Sequence, residues 1–309
     1  MKKLLTFITV VIATVVIADI LFGIGCRYYV KNHKIPGDYE SIDYLIKTST
    51  DDMIILGSSV ALNSTIPSIL EDTLGISVWN GACNGQRLPY FETILDCLFA
   101  RHKPKVVVLG LRENELVDSS KGSRYNILSP YYGLGFDVLD HYIEEGSWIN
   151  KVMAHSNLYR YNTIWIRILL YNFIQPGEKG EKGFIAKNIP PYFPKMIQEE
   201  GETDVTEQGV EEFTKIVKMC RENSVKVIAF FPPLFKEYKN HQSKAVTSTK
   251  DFCIKNEIAV YDAFQDSLFL QNPELFYDNI HLNKEGASVF SSQLAHELKK
   301  ILKEDGLIE

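Results

Sequence analysis

Five short apolar runs, each ending in turn-forming residues, constrain the fold of this chain more than any other feature. They read DDMIILGSS, SVWNGAC, KVVVLGL, KVIAFFPP and AVYDAF. Runs rich in Val and Ile that close with Gly, Pro, Asn or Ser are typical of strands buried in a parallel sheet. Helical patterns fit between most of them, at about residues 66–74, 86–102, 206–223 and 241–256. Because parallel strands are joined by right-handed crossovers, the pattern predicts an α/β fold with helices on both faces of a central parallel sheet.

A second feature is the apolar stretch at residues 4–24, which follows MKK and contains Asp19 as its one ionisable residue. A helix of this length spans the ~30 Å hydrocarbon core of a bilayer at about 1.5 Å per residue. A cleaved signal peptide is the alternative, but its apolar part usually has about 7–15 residues. We therefore expect one transmembrane helix ahead of the folded domain.

The charges that flank this stretch do not decide its orientation. Lys2 and Lys3 precede it, whereas Arg27, Lys31 and Lys34 follow it, so the positive-inside rule favours neither side. Long C-terminal domains cross a membrane largely regardless of charge, and a three-residue head is easily left inside. We expect a single-pass membrane protein whose large domain lies outside the cytoplasm.

The sequence predicts three segments with different roles. Residues 1–25 are the anchor, residues 26–50 are a polar stalk with Pro and Gly in the middle, and residues 51–309 form the folded domain. Within that domain the alternation of strands and helices stops at about residues 115–205, a stretch rich in aromatic residues and glycine. We interpret this stretch as an insertion or cap.

Charge and cysteine content exclude several classes of function. The net charge is −6 and no basic stripe is present, so nucleic acid is not an expected partner. The cysteines are scattered without metal-ligand spacing, which predicts buried free thiols and no metal site; they are Cys26, Cys83, Cys97, Cys220 and Cys253. Glu113 and Glu115 alternate in a loop, where we expect solvated side chains instead of a carboxylate pair.

Small and polar residues follow three of the predicted strands, where ligands gather in open parallel sheets. Ser58 and Ser59 follow the first strand behind a glycine, which lets the chain turn and present a hydroxyl. Gly85 follows the second strand and could turn a backbone N–H toward a ligand, while Asn114 follows the third and offers a neutral donor. Each signal is weak in isolation, because such residues often only form turns.

The stretch LFYDNIHLNKEGA adds an acid and a base to this set. Asp278 and His281 are three residues apart in a loop, so the carboxylate can fix the imidazole tautomer and stabilise the imidazolium. Asn283 is the expected N-cap of the last helix, which places His281 just ahead of a fixed element. An ordinary surface histidine is the alternative. The chain order of Ser, Gly, Asn and Asp-x-x-His favours nucleophilic catalysis instead.

With these four blocks the sequence resembles the SGNH, or GDSL-like, hydrolase family, and in particular its membrane-anchored branch. The resemblance covers about residues 51–114 and 225–302, and it implies a flavodoxin-like three-layer α/β/α sandwich. In GSS the position of the family's nucleophile falls on Ser59, and Ser58 replaces the Asp of the family's Gly-Asp-Ser triplet. The third block also departs from the family, because it reads GLREN where Gly-x-Asn-Asp is usual.

The resemblance implies a role for each block residue. Ser59 would form an acyl-enzyme intermediate, with His281 as its general base and Asp278 supporting the imidazolium. The oxyanion hole would consist of the N–H groups of Ser59 and Gly85 and the side-chain amide of Asn114. No metal and no cofactor is required for this chemistry.

The four blocks leave the reaction partly open. Water as the acyl acceptor would make the protein an esterase, and a sugar hydroxyl would make it an O-acyltransferase. An acylated glycan or lipid is the expected substrate, and a membrane acyltransferase is a candidate partner. The other class is a non-catalytic, membrane-tethered binding protein that kept the fold, and such a protein would tolerate replacement of Ser59.

Overall fold

The computed structural model describes residues 1–33, 35, 38–117, 127–145, 148–162, 164–167, 170, 180–188, 196–198, 205–238 and 243–309. The chain divides into two compact units. The first unit consists of Met1–Asp43 and Arg124–Gly177, and the second of Tyr44–Ser123 and Glu178–Glu309. The candidate site residues all belong to the second unit.

The second unit is built on a five-stranded parallel sheet and a smaller sheet of two strands. The strands are β1 (Met53–Gly57), β2 (Val78–Asn80), β3 (Val106–Gly110), β4 (Met196–Gln198), β5 (Lys226–Phe231), β6 (Lys236–Tyr238) and β7 (Ala259–Asp262). The large sheet has the order β2-β1-β3-β5-β7, and β4 pairs with β6 in parallel. Counted within the large sheet, this order is 2-1-3-4-5, the flavodoxin-like arrangement. The predicted fold class is confirmed.

The helices include the four that the sequence pattern predicts between the strands. In chain order they are α1 (Lys2–Asn32), α2 (Asp38–Lys47), α3 (Ser59–Leu62), α4 (Pro67–Leu74), α5 (Leu88–Phe99), α6 (Asp137–Glu145), α7 (Trp148–Ala154), α8 (Asn157–Arg160), α9 (Glu207–Glu222), α10 (Lys244–Lys255), α11 (Ser267–Gln271) and α12 (Lys284–Glu304). The four predicted inter-strand helices correspond to α4, α5, α9 and α10. Their ends differ from the predicted ones by up to three residues.

The core of the second unit is layered because successive strand residues point to opposite faces of the sheet. One face supplies alternate residues such as Ile55, Val108 and Phe230, which pack with Leu70 of α4 and Leu294 of α12. The intervening residues are equally buried, as expected for a sheet with helices on both sides. Burying one such aliphatic side chain stabilises the fold by about 1.5–3 kcal/mol.

The apolar residues at the N-terminus form most of α1, and this helix is long and apolar enough to cross a membrane. Its aliphatic side chains are exposed from Leu4 to Ile24, whereas Gly23, Cys26 and Val30 are buried. Every side chain of the helix up to Ala18 is exposed, and from Asp19 onward the helix packs into the first unit.

Residues 26–50, expected as a stalk, are largely helical. The end of α1 reaches Asn32 and α2 follows at Asp38–Lys47. Tyr39, Ile42 and Leu45 of α2 are buried, because their spacing of three places them on one face of a helix. Local polarity and the Pro-Gly pair at 36–37 concealed this apolar face.

The expected insertion at 115–205 is shared between the two units. Its middle part contains α6, α7 and α8 of the first unit, whereas Glu181 to Phe184 and β4 belong to the second. The remaining parts of the expected insertion, at residues 118–126, 146–147, 163, 168–169, 171–179, 189–195 and 199–204, lie outside the described residues.

Candidate active site

The turn after β1 places Ser59 at the start of a short helix. Ser59 is the first residue of α3, and Ser58 is its N-cap. Gly57 and Gly110 are register partners at the ends of β1 and β3. A Cβ added to either glycine would lie 2.5 Å from the Cβ of Ala61. The two glycines are therefore required for α3 to turn off the strand and press against the sheet.

Asn80, the last residue of β2, fixes the other end of this helix. Its buried amide Nδ2 donates to the carbonyl oxygen of Thr65 at 2.9 Å and lies 3.3 Å from that of Ala61. Its Oδ1 accepts the N–H of Ala82 at 3.1 Å. Buried polar groups satisfied in this way favour a single arrangement, so Asn80 is a positioning residue for α3 that the sequence analysis did not assign.

His281 joins Asp278 to Ser59. The imidazole Nε2 lies 2.8 Å from Ser59 Oγ, and Nδ1 lies 2.8 Å from Asp278 Oδ2 and 3.0 Å from Oδ1. The His281 side chain is 16% exposed and that of Asp278 is 43% exposed. A donor on Nδ1 that bonds the carboxylate leaves Nε2 as an acceptor for the serine hydroxyl proton.

Backbone hydrogen bonds hold the loop that carries this pair. Asp278 Oδ1 accepts the N–H groups of Ile280 and His281, both at 2.9 Å. The N–H of Tyr277 donates to the carbonyl of His281 at 2.8 Å. Asn283 caps α12 by accepting the N–H of Gly286 at 3.0 Å, which confirms the predicted cap. The histidine is thus fixed on both sides by short local contacts.

The environment of Asp278 favours its ionised form. Partial burial opposes ionisation, but the hydrogen bonds from the His281 ring and from the N–H groups of Ile280 and His281 outweigh it and lower the pKa of Asp278. The carboxylate is therefore negative wherever the imidazole gains a proton, as support of an imidazolium requires.

Gly85 and Asn114 lie on two loops that a buried arginine connects. Gly85 has a φ of 70°, a left-handed conformation that favours glycine. Arg87, two residues later, donates from Nη1 to the backbone oxygen of Asn114 at 3.0 Å. The side chain of Asn114 is exposed and makes no hydrogen bond with any residue that the structure describes. Arg87 was not assigned by the sequence analysis.

The hydroxyl of Ser58, unlike that of Ser59, is not hydrogen-bonded to the imidazole. It is 1% exposed, and its Oγ makes no hydrogen bond within the described part of the chain. The hydroxyl that faces the imidazole is that of Ser59. The geometry therefore brings together Ser59, Asp278 and His281, and it leaves Ser58 outside this set.

The expectation that Glu113 and Glu115 are solvated is wrong. Glu115 is fully buried and accepts from Arg112 Nε at 3.0 Å. Glu113 accepts from Lys236 Nζ and Ser243 Oγ, both at 3.1 Å. Each carboxylate has a cationic partner, which makes its burial tolerable, and the partner of Glu113 lies too far along the chain to be read from the local sequence.

The cysteines are buried and free, as predicted. Burial raises the pKa values of Cys220 and Cys253 to about 12, so these thiols are not nucleophiles near neutral pH. Across the described ranges, no group of three or more His, Cys, Asp or Glu side chains could hold a metal ion.

Comparison with known proteins finds a likeness among solved structures but none in sequence. The sequence matches no protein-family model and no curated protein. Among solved structures, the chain is similar to the psychrotrophic esterase EstA from Pseudoalteromonas sp., in a form inhibited by monoethylphosphonate. The TM-score is 0.44 and the sequence identity is 12%, and the match covers 82% of this chain and 100% of the esterase chain.

Proposed function

We propose that this protein is a serine hydrolase of the SGNH type that cleaves an ester bond through an acyl-serine intermediate. The observation that carries the proposal is the continuous hydrogen-bond chain from Asp278 through His281 to Ser59, with both contacts of the imidazole at 2.8 Å. Nucleophile, base and orienting carboxylate in this geometry are what acyl transfer requires.

In the first half-reaction, Ser59 Oγ attacks the ester carbonyl carbon while its proton moves to His281 Nε2. The negative charge that develops on the carbonyl oxygen is stabilised by the N–H groups of Ser59 and Gly85 and by the Asn114 amide. The tetrahedral intermediate collapses, the bond to the alcohol oxygen breaks, and His281 returns the proton to the leaving alcohol. The acyl group remains on Ser59.

In the second half-reaction, water gives a proton to His281 and attacks the acyl-serine carbonyl. The bond to Ser59 Oγ breaks, the serine recovers its proton from His281, and the carboxylic acid leaves. A sugar hydroxyl in place of that water would transfer the acyl group instead. Asp278 stays ionised throughout and stabilises the imidazolium in both halves.

The setting that we propose is a membrane surface. Residues 4–24 of α1 would anchor the chain, with the second unit outside the cytoplasm, and an acylated glycan or lipid would be the substrate. The length and the exposed apolar side chains of α1 support the anchor. A membrane acyltransferase that supplies or competes for the same acyl group is a candidate partner.

A serine-directed phosphonate tests the nucleophile directly. Detergent-solubilised full-length protein is treated with the reagent, the adduct is located by mass spectrometry, and hydrolysis of a short-chain p-nitrophenyl ester is followed before and after labelling. We expect the adduct on Ser59 and a loss of turnover. Ser59→Ala should lower the rate of ester hydrolysis by about 10⁴–10⁶-fold. Ser58→Ala is the matched control and should keep its activity.

Other outcomes identify the alternatives. An adduct on Ser58 would overturn the assignment of the nucleophile. Absence of both adduct and turnover would favour the non-catalytic binding protein. Adding a polyol acceptor to the ester assay separates the two enzymes, because an O-acyltransferase forms acylated polyol whereas an esterase releases only free acid.

A further inference from the structure

Asp19 is the one charged residue within the apolar stretch of α1, and its carboxylate binds the start of α8. Oδ1 accepts the Ser156 hydroxyl at 2.9 Å and the Leu158 N–H at 2.8 Å. Oδ2 accepts the N–H of Asn157 at 3.1 Å and its side-chain Nδ2 at 2.9 Å. The carboxylate thus satisfies donors that the first turn of a helix leaves unpaired.

Contacts over the following turns make α1 and this segment one packed body. A Cβ added at Gly23 would lie 2.1 Å from Asn157 Cγ, so the helix approaches closely at that point. The ring of Phe22 meets Tyr161 edge-on, with centroids 6.4 Å apart. These contacts fix the position of α8 along the axis of α1.

The position of Asp19 along α1 can be expressed as a depth in a bilayer. Asp19 lies fifteen residues beyond Leu4, or about 22 Å along a helix that rises 1.5 Å per residue. A hydrocarbon core of ~30 Å entered at Leu4 ends near residue 24, about 7 Å beyond Asp19. Whatever binds Asp19 consequently lies within about 7 Å of the boundary between acyl chains and headgroups.

The described residues on either side of this contact, between 148 and 170, expose an unusual number of large apolar side chains. Trp148 is 76% exposed and Val152 is 62% exposed. The others exposed between residues 148 and 170 are Ile149, Leu158, Trp165, Ile166 and Leu170. In the whole described part of the second unit, the large hydrophobic residues exposed to this degree are Ile254, Leu268, Tyr277 and Ile280. Exposed apolar side chains concentrated in this way mark an interaction surface.

We infer that the described residues between 148 and 170, which include α7 and α8, lie in the interfacial layer of the bilayer that α1 spans, with their exposed apolar side chains inserted among the lipids. This inference rests on the proposed membrane anchor. A bilayer is favoured over a soluble partner because Asp19 places the start of α8 within about 7 Å of the core boundary, where lipid is already present. Tryptophan prefers this layer, and Trp148 and Trp165 are two of the three tryptophans in the chain.

Tryptophan fluorescence in vesicles tests the inference on the full chain. The protein is reconstituted into phosphatidylcholine vesicles in which the acyl chains carry bromine close to the headgroup, and quenching is compared with unbrominated vesicles. We expect strong quenching of the wild type and loss of most of it in the double variant Trp148→Phe/Trp165→Phe. Trp79 remains in that variant as the background, and both substitutions are conservative changes at exposed positions.

The outcomes separate the inference from the proposals on which it depends. Vesicle flotation is measured on the same samples. Protein that floats but shows equal quenching in the wild type and the double variant keeps its anchor and overturns the interfacial placement. Protein that does not float overturns the anchor, and the interfacial placement with it. Ester hydrolysis, followed in parallel, reports on the serine hydrolase proposal independently of both.

Discussion

Asp278 in the second unit and Asp19 in the first are both carboxylates that gather hydrogen bonds from a short stretch of chain, but they have different consequences. The donors to Asp19 are a hydroxyl, an amide and two backbone N–H groups, and none of them leads to a further reactive group. Asp278 also accepts two backbone N–H groups, but its third donor is an imidazole whose other nitrogen contacts Ser59. A well-bonded carboxylate is a structural feature in general. A titratable donor that continues to a nucleophile makes it a candidate for catalysis.

The largest effect that tests this contrast is on the rate of ester hydrolysis. Asp278→Asn should lower kcat by about 10⁴, because the amide no longer fixes the tautomer or supports the imidazolium. Adding this change to His281→Ala should cost little more than His281→Ala alone, since the two residues act as one unit. A double-mutant cycle on ester hydrolysis, with thermal unfolding of each variant, is the measurement. Multiplicative losses, or losses that follow unfolding, would show that Asp278 is structural like Asp19.

Asn114 provides an intermediate effect on activity with little effect on stability. Its side chain is exposed and has no partner among the described residues, so truncation removes no internal contact. If the amide stabilises the oxyanion, Asn114→Ala should reduce kcat by about 10²–10³ and leave KM nearly unchanged. The exposed Asn162 supplies the control variant, Asn162→Ala, with unchanged kinetics. An increase in KM alone would assign Asn114 to substrate binding instead.

Replacement of Asp19 should lower stability and leave activity unchanged, the reverse of what is expected for Asn114. Asp19→Asn keeps the shape but replaces one acceptor oxygen with a donor, which leaves at least one N–H or amide donor of residues 156–158 unpaired. We expect a loss of about 1–3 kcal/mol in the free energy of unfolding, with kcat unchanged. Thermal unfolding of the detergent-solubilised protein measures this loss, and the exposed Asp72 offers Asp72→Asn as a control. A variant that unfolds like the wild type would mean that the bonds to Asp19 contribute no net stability.

The sequence predicted the second unit better than the first, for a physical reason. Strands and crossover helices can be recognised from the local periodicity of apolar residues. The Ser, Gly, Asn and Asp-x-x-His blocks follow strands of one parallel sheet, and such a sheet brings its carboxyl strand ends to one edge. The contact of His281 with Ser59 joins residues far apart in sequence, yet it was predictable because topology determines which strand ends are neighbours. The contact between Asp278 and His281 could be predicted without knowledge of the topology, because the two residues are only three positions apart.

The features that escaped prediction depend on partners that no local pattern identifies. Asp19 looks anomalous in an apolar helix until residues 156–158 supply its donors. Glu113 looks solvated until Lys236 reaches it. The buried amide of Asn80 belongs to a three-residue strand whose end gives no sign of what it will contact. Such contacts can be identified only once the packed structure is known, because neither partner marks the other in the sequence.

The smallest effect concerns the pH dependence of stability at Asp278. Its folded pKa is below the ordinary value of 3.8, so between the folded and unfolded pKa values the unfolded chain binds more protons and stability rises with pH. The contribution should be fully present above that ordinary, unfolded pKa and lost as the pH falls through the folded pKa. Because the side chain is 43% exposed, solvent screening keeps it small. The free energy of unfolding of the wild type and of Asp278→Asn should therefore differ at pH 6 and converge at the acid end. A difference that widens toward acid pH would mean that Asp278 is destabilised as a carboxylate, and an anion in that state could not support the imidazolium of His281.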